Sequence, residues 1–159
     1  MTTATAHQVV TFRIGDDYFA ADILTVERVL RYAKPTVVPN LPPWIEGVLE
    51  YQGRVIPVID LRRRFGLEPH ERRDGRIIVF AAGDDWVGAL VDAVLEVIAL
   101  GADDVAPPPS LFRGLAAEYL RGLVRRGERM LIYLEVPRLL TSTEHLELRH
   151  SVDGVRADG

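Results

Sequence analysis

The chain contains no cysteine, which removes disulfides, thiolate nucleophiles and cysteine-based zinc sites from consideration. Lysine is nearly absent: Lys34 stands alone against 18 arginines, a bias to which no function is assigned. Serine occurs at Ser110, Ser142 and Ser151 only, and none lies in a G-x-S-x-G turn. A phosphate-cradling G-x-x-x-x-G-K-[ST] segment and a dinucleotide fingerprint are both missing. No apolar run approaches the roughly 18 to 20 residues that span a bilayer. Met1 to Gln8 lack the basic-then-apolar order of a signal peptide. Excess positive charge is lacking too: the formal charge of −4 argues against a general nucleic-acid binder. These absences lead to an expectation of a soluble, cytoplasmic protein.

What is present is a chain of 159 residues, room for one domain or two very small ones sharing a core. Its 48% hydrophobic content is sufficient for a buried interior, and its 26% charged residues are ordinary for a globular protein. Val10, Phe12 and Ile14 alternate with polar neighbours, the period of a half-buried strand. Gly15-Asp16-Asp17 then supplies a turn before a second extended segment from Tyr18 to Asp22, which predicts a hairpin. Further hairpins are predicted around Gly83-Asp84-Asp85 and Arg126-Gly127-Glu128. From Ile23 to Leu30 the spacing changes, with Ile23, Val26, Val29 and Leu30 on one helical face, so a short helix or helical turn is expected there. Arg54 to Ile59 is rich in β-branched residues and reads as a strand buried on both faces. Pro57 within it should sit at an edge or a bulge. Asp60 is placed to cap a helical turn over Leu61 to Phe65, with Gly66 at its stop. Leu67 to Gly75 is a charged connector, and Val94 to Leu100 is extended. Ala106 to Pro109 breaks regular structure, Pro137 opens a last short helix through Leu140, and the polar tail from about Ser151 should be disordered. The predicted class is all-β with minor helices, a barrel or sandwich arrangement.

A search for chemistry finds little. His7, His145 and His150 lie near the termini and His70 in the connector, so surface roles are expected for all four. The acidic pairs Asp16-Asp17, Asp84-Asp85 and Asp103-Asp104 fall at predicted turns, where local backbone hydrogen bonding favours aspartate. Arg62-Arg63-Arg64 with Arg72, Arg73 and Arg76 is the one basic concentration. It lacks interleaved aromatics and reads as a solvated helical face, with a protein-binding role open. A small hydrolase or a nucleic-acid module would be the rivals from other classes; recognition by surface is favoured.

Four ordered segments then carry a resemblance. Phe12-x-Ile14-Gly15 with Phe19, Asp22-Ile23, Val26 and Ile45-x-Gly47-Val48 forms the first. Gly53-x-Val55-Ile56-Pro57-Val58-Ile59-Asp60-Leu61-Arg62 is the most recognisable. Val87-Gly88 with Val91-Asp92, Val94 and Glu96-Val97 follows, and Glu118-Tyr119-Leu120-x-Gly122 with Arg129 to Ile132 closes the series. Together they resemble the CheW-like family over about residues 9–148. The resemblance implies two five-stranded SH3-like β-barrel subdomains packed through a shared apolar core, with short helices, and no active site or cofactor. Residues 1–8 and 149–159 are expected to be flexible ends.

The resemblance further implies an adaptor that bridges the regulatory domain of a CheA-type histidine kinase and the helical tips of methyl-accepting chemotaxis receptors. It involves neither nucleic acid nor direct membrane insertion. One surface, in the groove between the barrels near Val26, Gly47 and Gln52, would receive the receptor; another, at a barrel end, would meet the kinase. Two departures from the family pattern stand out. Where the family reads G-x-x-N-x-R-G, this chain has Gly47-Val48-Leu49-Glu50-Tyr51-Gln52-Gly53, so Glu50 and Gln52 replace an Asn and an Arg. In Val26-Glu27-Arg28-Val29, Arg28 replaces a usual acid. Val26, Arg28, Val29, Gly47, Glu50 and Gln52 are therefore the candidate partner-binding residues. The same departures motivate an alternative, a divergent adaptor of a non-flagellar chemosensory pathway serving surface motility, pili or development.

Overall fold

The computed structural model describes residues 7–64, 75–107 and 118–139. The features expected at Phe65 and Gly66, in most of the connector after Leu67, at Leu140 and in the tail from Ser151 lie outside them.

Among the described residues, eleven strands form two antiparallel-rich sheets. The chain begins in the first with β1 (His7–Ile14) and β2 (Asp17–Asp22). It crosses to the second for β3 (Val26–Arg31), β4 (Ile45–Tyr51), β5 (Arg54–Ile59), β6 (Arg76–Ala82) and β7 (Asp85–Val91). It then returns for β8 (Ala93–Leu100), β9 (Val105–Ala106), β10 (Leu120–Arg126) and β11 (Arg129–Leu134). The first sheet is ordered β8-β1-β2-β11-β10-β9 and the second β3-β6-β7-β5-β4. The sixth member of the first sheet, β9, is only two residues long.

Three apolar clusters explain why so many strands are buried on both faces. Val9, Ala20, Ile98, Leu100, Val124, Leu131 and Tyr133 pack together from the first sheet alone. Val58, Ile77 and Leu90 do so within the second, with Leu30, Tyr32 and Leu49 against them. The largest cluster draws on both: Phe12 and Phe19 stack at 5.5 Å between ring centroids, and Phe12 meets Phe80 of the second sheet at 6.2 Å. Each sheet thus spends one face on its own barrel and the other on the barrel beside it. In β6, Ile77 and Ile78 point to different clusters although they are neighbours in sequence.

The three predicted hairpins form as expected, Val9 pairing with Asp22, Arg76 with Val91 and Leu123 with Ile132. Asp60, buried at 1% exposure, caps the helical turn α1 (Leu61–Arg64): its Oδ1 accepts from the Arg62 and Arg63 amides at 3.0 and 3.3 Å. Pro137 lies in the first turn of a final helical segment, Val136–Arg138.

Two expectations are corrected. Of the helix or helical turn expected over Ile23–Leu30, only a single 3₁₀ turn (Ile23–Thr25) forms, and the rest of the stretch is the strand β3. The ladder to β6 pairs Val26 with Phe80 and then Arg28 with Val79, so Glu27 is an inserted residue. A bulge advances the two-residue alternation by one, giving Val26 and Val29 the three-residue spacing that a helix would also give. Pro57 lies on neither an edge strand nor a bulge of its own strand, since β5 runs between β4 and β7. Its missing N–H is tolerated because the parallel ladder to β7 pairs Val58 and Ile59, and Pro57 precedes it.

A second bulge lies in β8, where Val97 pairs with Val10 and Val94 with Phe12. Buried Thr11 answers it, its Oγ1 donating to the Glu96 carbonyl at 2.9 Å and accepting from the Glu96 amide at 3.1 Å.

Candidate docking surfaces

β3 is an outer strand of the second sheet, and the bulge at Glu27 decides what it presents. Val26, Val29 and Arg31 fall on the face shared with Phe80 and Ile78, while Arg28 and Leu30 fall on the other. Val29 remains 40% exposed and lines a cleft of about 250 Å³ with Gly75, Arg76, Asp92, Ala93 and Val94. The cleft lies where the chain returns from β7 to β8, so both sheets build its walls. Asp92 anchors that crossing: its amide donates to the Arg13 carbonyl at 2.8 Å and its carboxylate accepts from the Gly15 amide at 2.5 Å.

The other candidates lie on β4 and its hairpin to β5. Gly47 is buried, and a Cβ there would sit 2.4 Å from the Thr36 carbonyl oxygen. The segment after β3 reaches β4 at that point, exchanging Thr36 and Val48 backbone bonds of 2.9 Å in both directions. Glu50 is exposed on β4. Gln52 and Gly53 form the two-residue hairpin turn, with φ of 49° and 74°. That left-handed pair is a primed turn, costly for glutamine and free for glycine. Val26 and Val29 are therefore brought to one face, Arg28 to the opposite face, and Glu50 and Gln52 to a hairpin on the far outer strand.

Beside that hairpin is a group missed in the sequence: Arg54 lies 4.1 Å above the Trp86 ring, against which Tyr51 also packs at 5.5 Å. In the arginine run of α1, expected as a solvated face, only Arg63 is exposed. Arg62 pairs with Asp17 and Arg63 with Asp60, while Arg64 lies between the Trp44 and Tyr119 rings at 3.9 and 4.4 Å. Its Nε also donates to the Leu139 carbonyl at 3.0 Å, so Arg64 alone ties α1 to three separate segments.

At the other barrel, Arg121 reaches Asp22 at 2.7 Å, Glu135 at 2.9 Å and the Tyr133 hydroxyl at 2.8 Å. Tyr133 in turn donates to Asp22 at 3.2 Å. Burial first, and then the Asp22 charge, push the Tyr133 phenol above its ordinary value of 10.0, against the opposing pull of Arg121. A raised phenol favours the neutral form in the folded state. Its stabilisation is complete below about pH 10 and is lost as pH rises through the folded value. Urea titrations from pH 8 to 11 should show the native chain losing stability more steeply above pH 10 than the Tyr133→Phe variant. Equal slopes would contradict the assignment.

No group of three or more potential metal ligands gathers among the described residues, nor is any helix among them long and apolar enough to cross a membrane. Fold and surfaces together define a two-barrel β scaffold of the SH3-like kind. Residues 8–144 match the family described as the CheW-like domain. The chemotaxis protein CheW of Klebsiella aerogenes is 37% identical over 134 residues, covering 84% of this chain and 81% of that protein. A protein named FrzA from Myxococcus xanthus is also 37% identical, covering 72% of this chain and 71% of its own length. Among solved structures, the scaffolding protein TtCheW from Thermoanaerobacter tengcongensis superposes with a TM-score of 0.78 at 29% identity, over 88% of this chain and 96% of that one. The chain belongs to the CheW-like family.

Proposed function

We propose that the chain is a non-catalytic, cytoplasmic adaptor that couples methyl-accepting chemoreceptors to a CheA-type histidine kinase in a bacterial chemosensory array. The observation that carries this reading is the extent of the likeness: residues 8–144 match the family, and the solved scaffolding relative is covered almost end to end. The CheW-like domain, proposed over residues 9–148, would offer the Val26–Val29 face and its cleft to a receptor and a barrel end to the kinase. Contacts of this transient kind often bury less than about 1,200 Å² each, so single affinities are modest and array assembly supplies avidity. Titration of the purified chain against the CheA regulatory domain and receptor fragments of the same organism should detect both complexes. Failure to bind either one refutes the coupling role.

A second reading keeps the scaffold and changes the pathway. It is favoured by the positions of Arg28, Glu50 and Gln52, all exposed where family members carry an acid, an Asn and an Arg, and by the equal identity to CheW and FrzA relatives. Like charges across an interface cost several kcal/mol. Reverting Arg28→Glu, Glu50→Asn and Gln52→Arg together should then tighten binding to a conventional CheA or receptor by roughly tenfold or more. An unchanged affinity removes this reading.

A further inference from the structure

Arg31 of β3 and Arg76 of β6 are direct partners across the ladder, on the same face as Val29. Both are exposed, and neither forms an ion pair within the described residues. Arg76 donates to the carbonyl of its own neighbour Gly75 at 2.8 Å and also lines the Val29 cleft. Like charges directly opposite on a sheet are destabilising, so this pair works against the fold. Several other arginines are held by a partner: Arg62, Arg63 and Arg121 on carboxylates, and Arg54, Arg64 and Arg129 over aromatic rings. Asp92, the acid among the residues lining the cleft, is mostly buried and accepts from the Gly15 amide, with Arg13 at 3.9 Å.

We infer that Arg31 and Arg76 form a cationic clamp on the rim of the Val29 cleft, selecting a receptor segment that offers an apolar side chain to the cleft and carboxylates to the arginines. This rests on the receptor-binding reading above and adds to it the chemistry of the segment bound. Charge complementarity is the argument for that occupant: an acidic partner removes the cross-strand repulsion at the moment it binds, and a basic one compounds it. Val29, Ala93 and Val94 supply the apolar part of the contact. The clamp was invisible in the sequence, because Arg31 and Arg76 become neighbours only through the register of the β3–β6 ladder.

The experiment uses the full chain and a cytoplasmic receptor fragment encoded in the same genome, with Arg31→Thr, Arg76→Thr and the double variant. Arg126→Thr is the control for net charge; it removes a member of another cross-strand arginine pair, Arg126 and Arg129, in which Arg129 is held over the Tyr18 ring. Each protein is titrated at low and moderate salt and melted without partner. The double variant should bind about tenfold or more weakly with a flatter salt dependence, whereas the control binds as the native chain does. In the free protein the double variant should melt roughly 1–3 °C higher, because the repulsion is gone. Native-like receptor affinity in the double variant overturns the clamp while leaving the receptor reading intact, and so does a lowered melting temperature. A loss confined to the CheA regulatory domain also overturns it. If the native chain itself binds no receptor fragment, the clamp and the receptor reading fall together.

Discussion

Replacing Phe80 by alanine is expected to lower the stability of the chain by about 3–5 kcal/mol. Phe80 is fully buried in the cluster that draws on both sheets, its ring 6.2 Å from that of Phe12 and tilted by 49°. Phe12 in turn stacks on Phe19 at an interplanar angle of 11°, so the three rings form a continuous bridge from β2 through β1 to β6. Truncation removes the transfer energy of a phenyl group and leaves a cavity whose walls belong to two barrels, which limits collapse around it. A loss of that size is a large part of the total of roughly 5–15 kcal/mol that holds an ordinary domain together. Urea denaturation followed by circular dichroism measures it as a lower midpoint. Because the lost contacts are shared, the far-ultraviolet signal and tryptophan fluorescence from Trp44 and Trp86 should fall together in one transition. A midpoint within experimental error of the native value would show that the barrels do not depend on this bridge.

Much of this architecture was legible in the sequence, for reasons that are local. The hairpin turns announce themselves through Gly15, Gly83 and Gly127, all at positive φ, flanked by alternating apolar residues. Asp60 is a capping residue in sequence and in structure. The two-faced burial of β5 follows from its β-branched composition. What escaped was set by contacts between distant segments. The Glu27 bulge is decided by the ladder to β6, and without that partner the spacing of Val26 and Val29 cannot be told from a helical one. Arg64 reads as a surface charge until Trp44 and Tyr119 are brought to its two sides. The parallel pairings of β2 with β11 and of β5 with β7 join the ends of each barrel and have no local signature. The candidate docking residues divide in the same way. Their identities came from family likeness, but their grouping on one face, the opposite face and a far hairpin is a consequence of register and strand order.

Gly47 is where fold and docking are most easily confused, and its replacement by alanine separates them. An added Cβ would lie 2.4 Å from the Thr36 carbonyl oxygen, 2.9 Å from its carbon and 3.0 Å from the Pro35 Cβ. Two of those atoms are backbone, held by the reciprocal Thr36–Val48 hydrogen bonds, and no flexible side chain can move aside. Either the 32–37 segment lifts away from β4 and those bonds stretch, or β4 shifts against β5. Overpacking of this kind costs about 1–3 kcal/mol, and a backbone obstacle places Gly47→Ala at the upper end. Gly53→Ala is the comparison. Nothing lies within 4 Å of a Cβ there, so only its left-handed φ of 74° resists, a penalty of about 1–2 kcal/mol. Urea midpoints should therefore fall further for Gly47→Ala than for Gly53→Ala. If Gly47 acts through the fold, partner affinity measured on the folded fraction, well below the unfolding temperature, should change little. A Gly47→Ala protein of native stability that fails to bind would instead place the glycine directly under a partner.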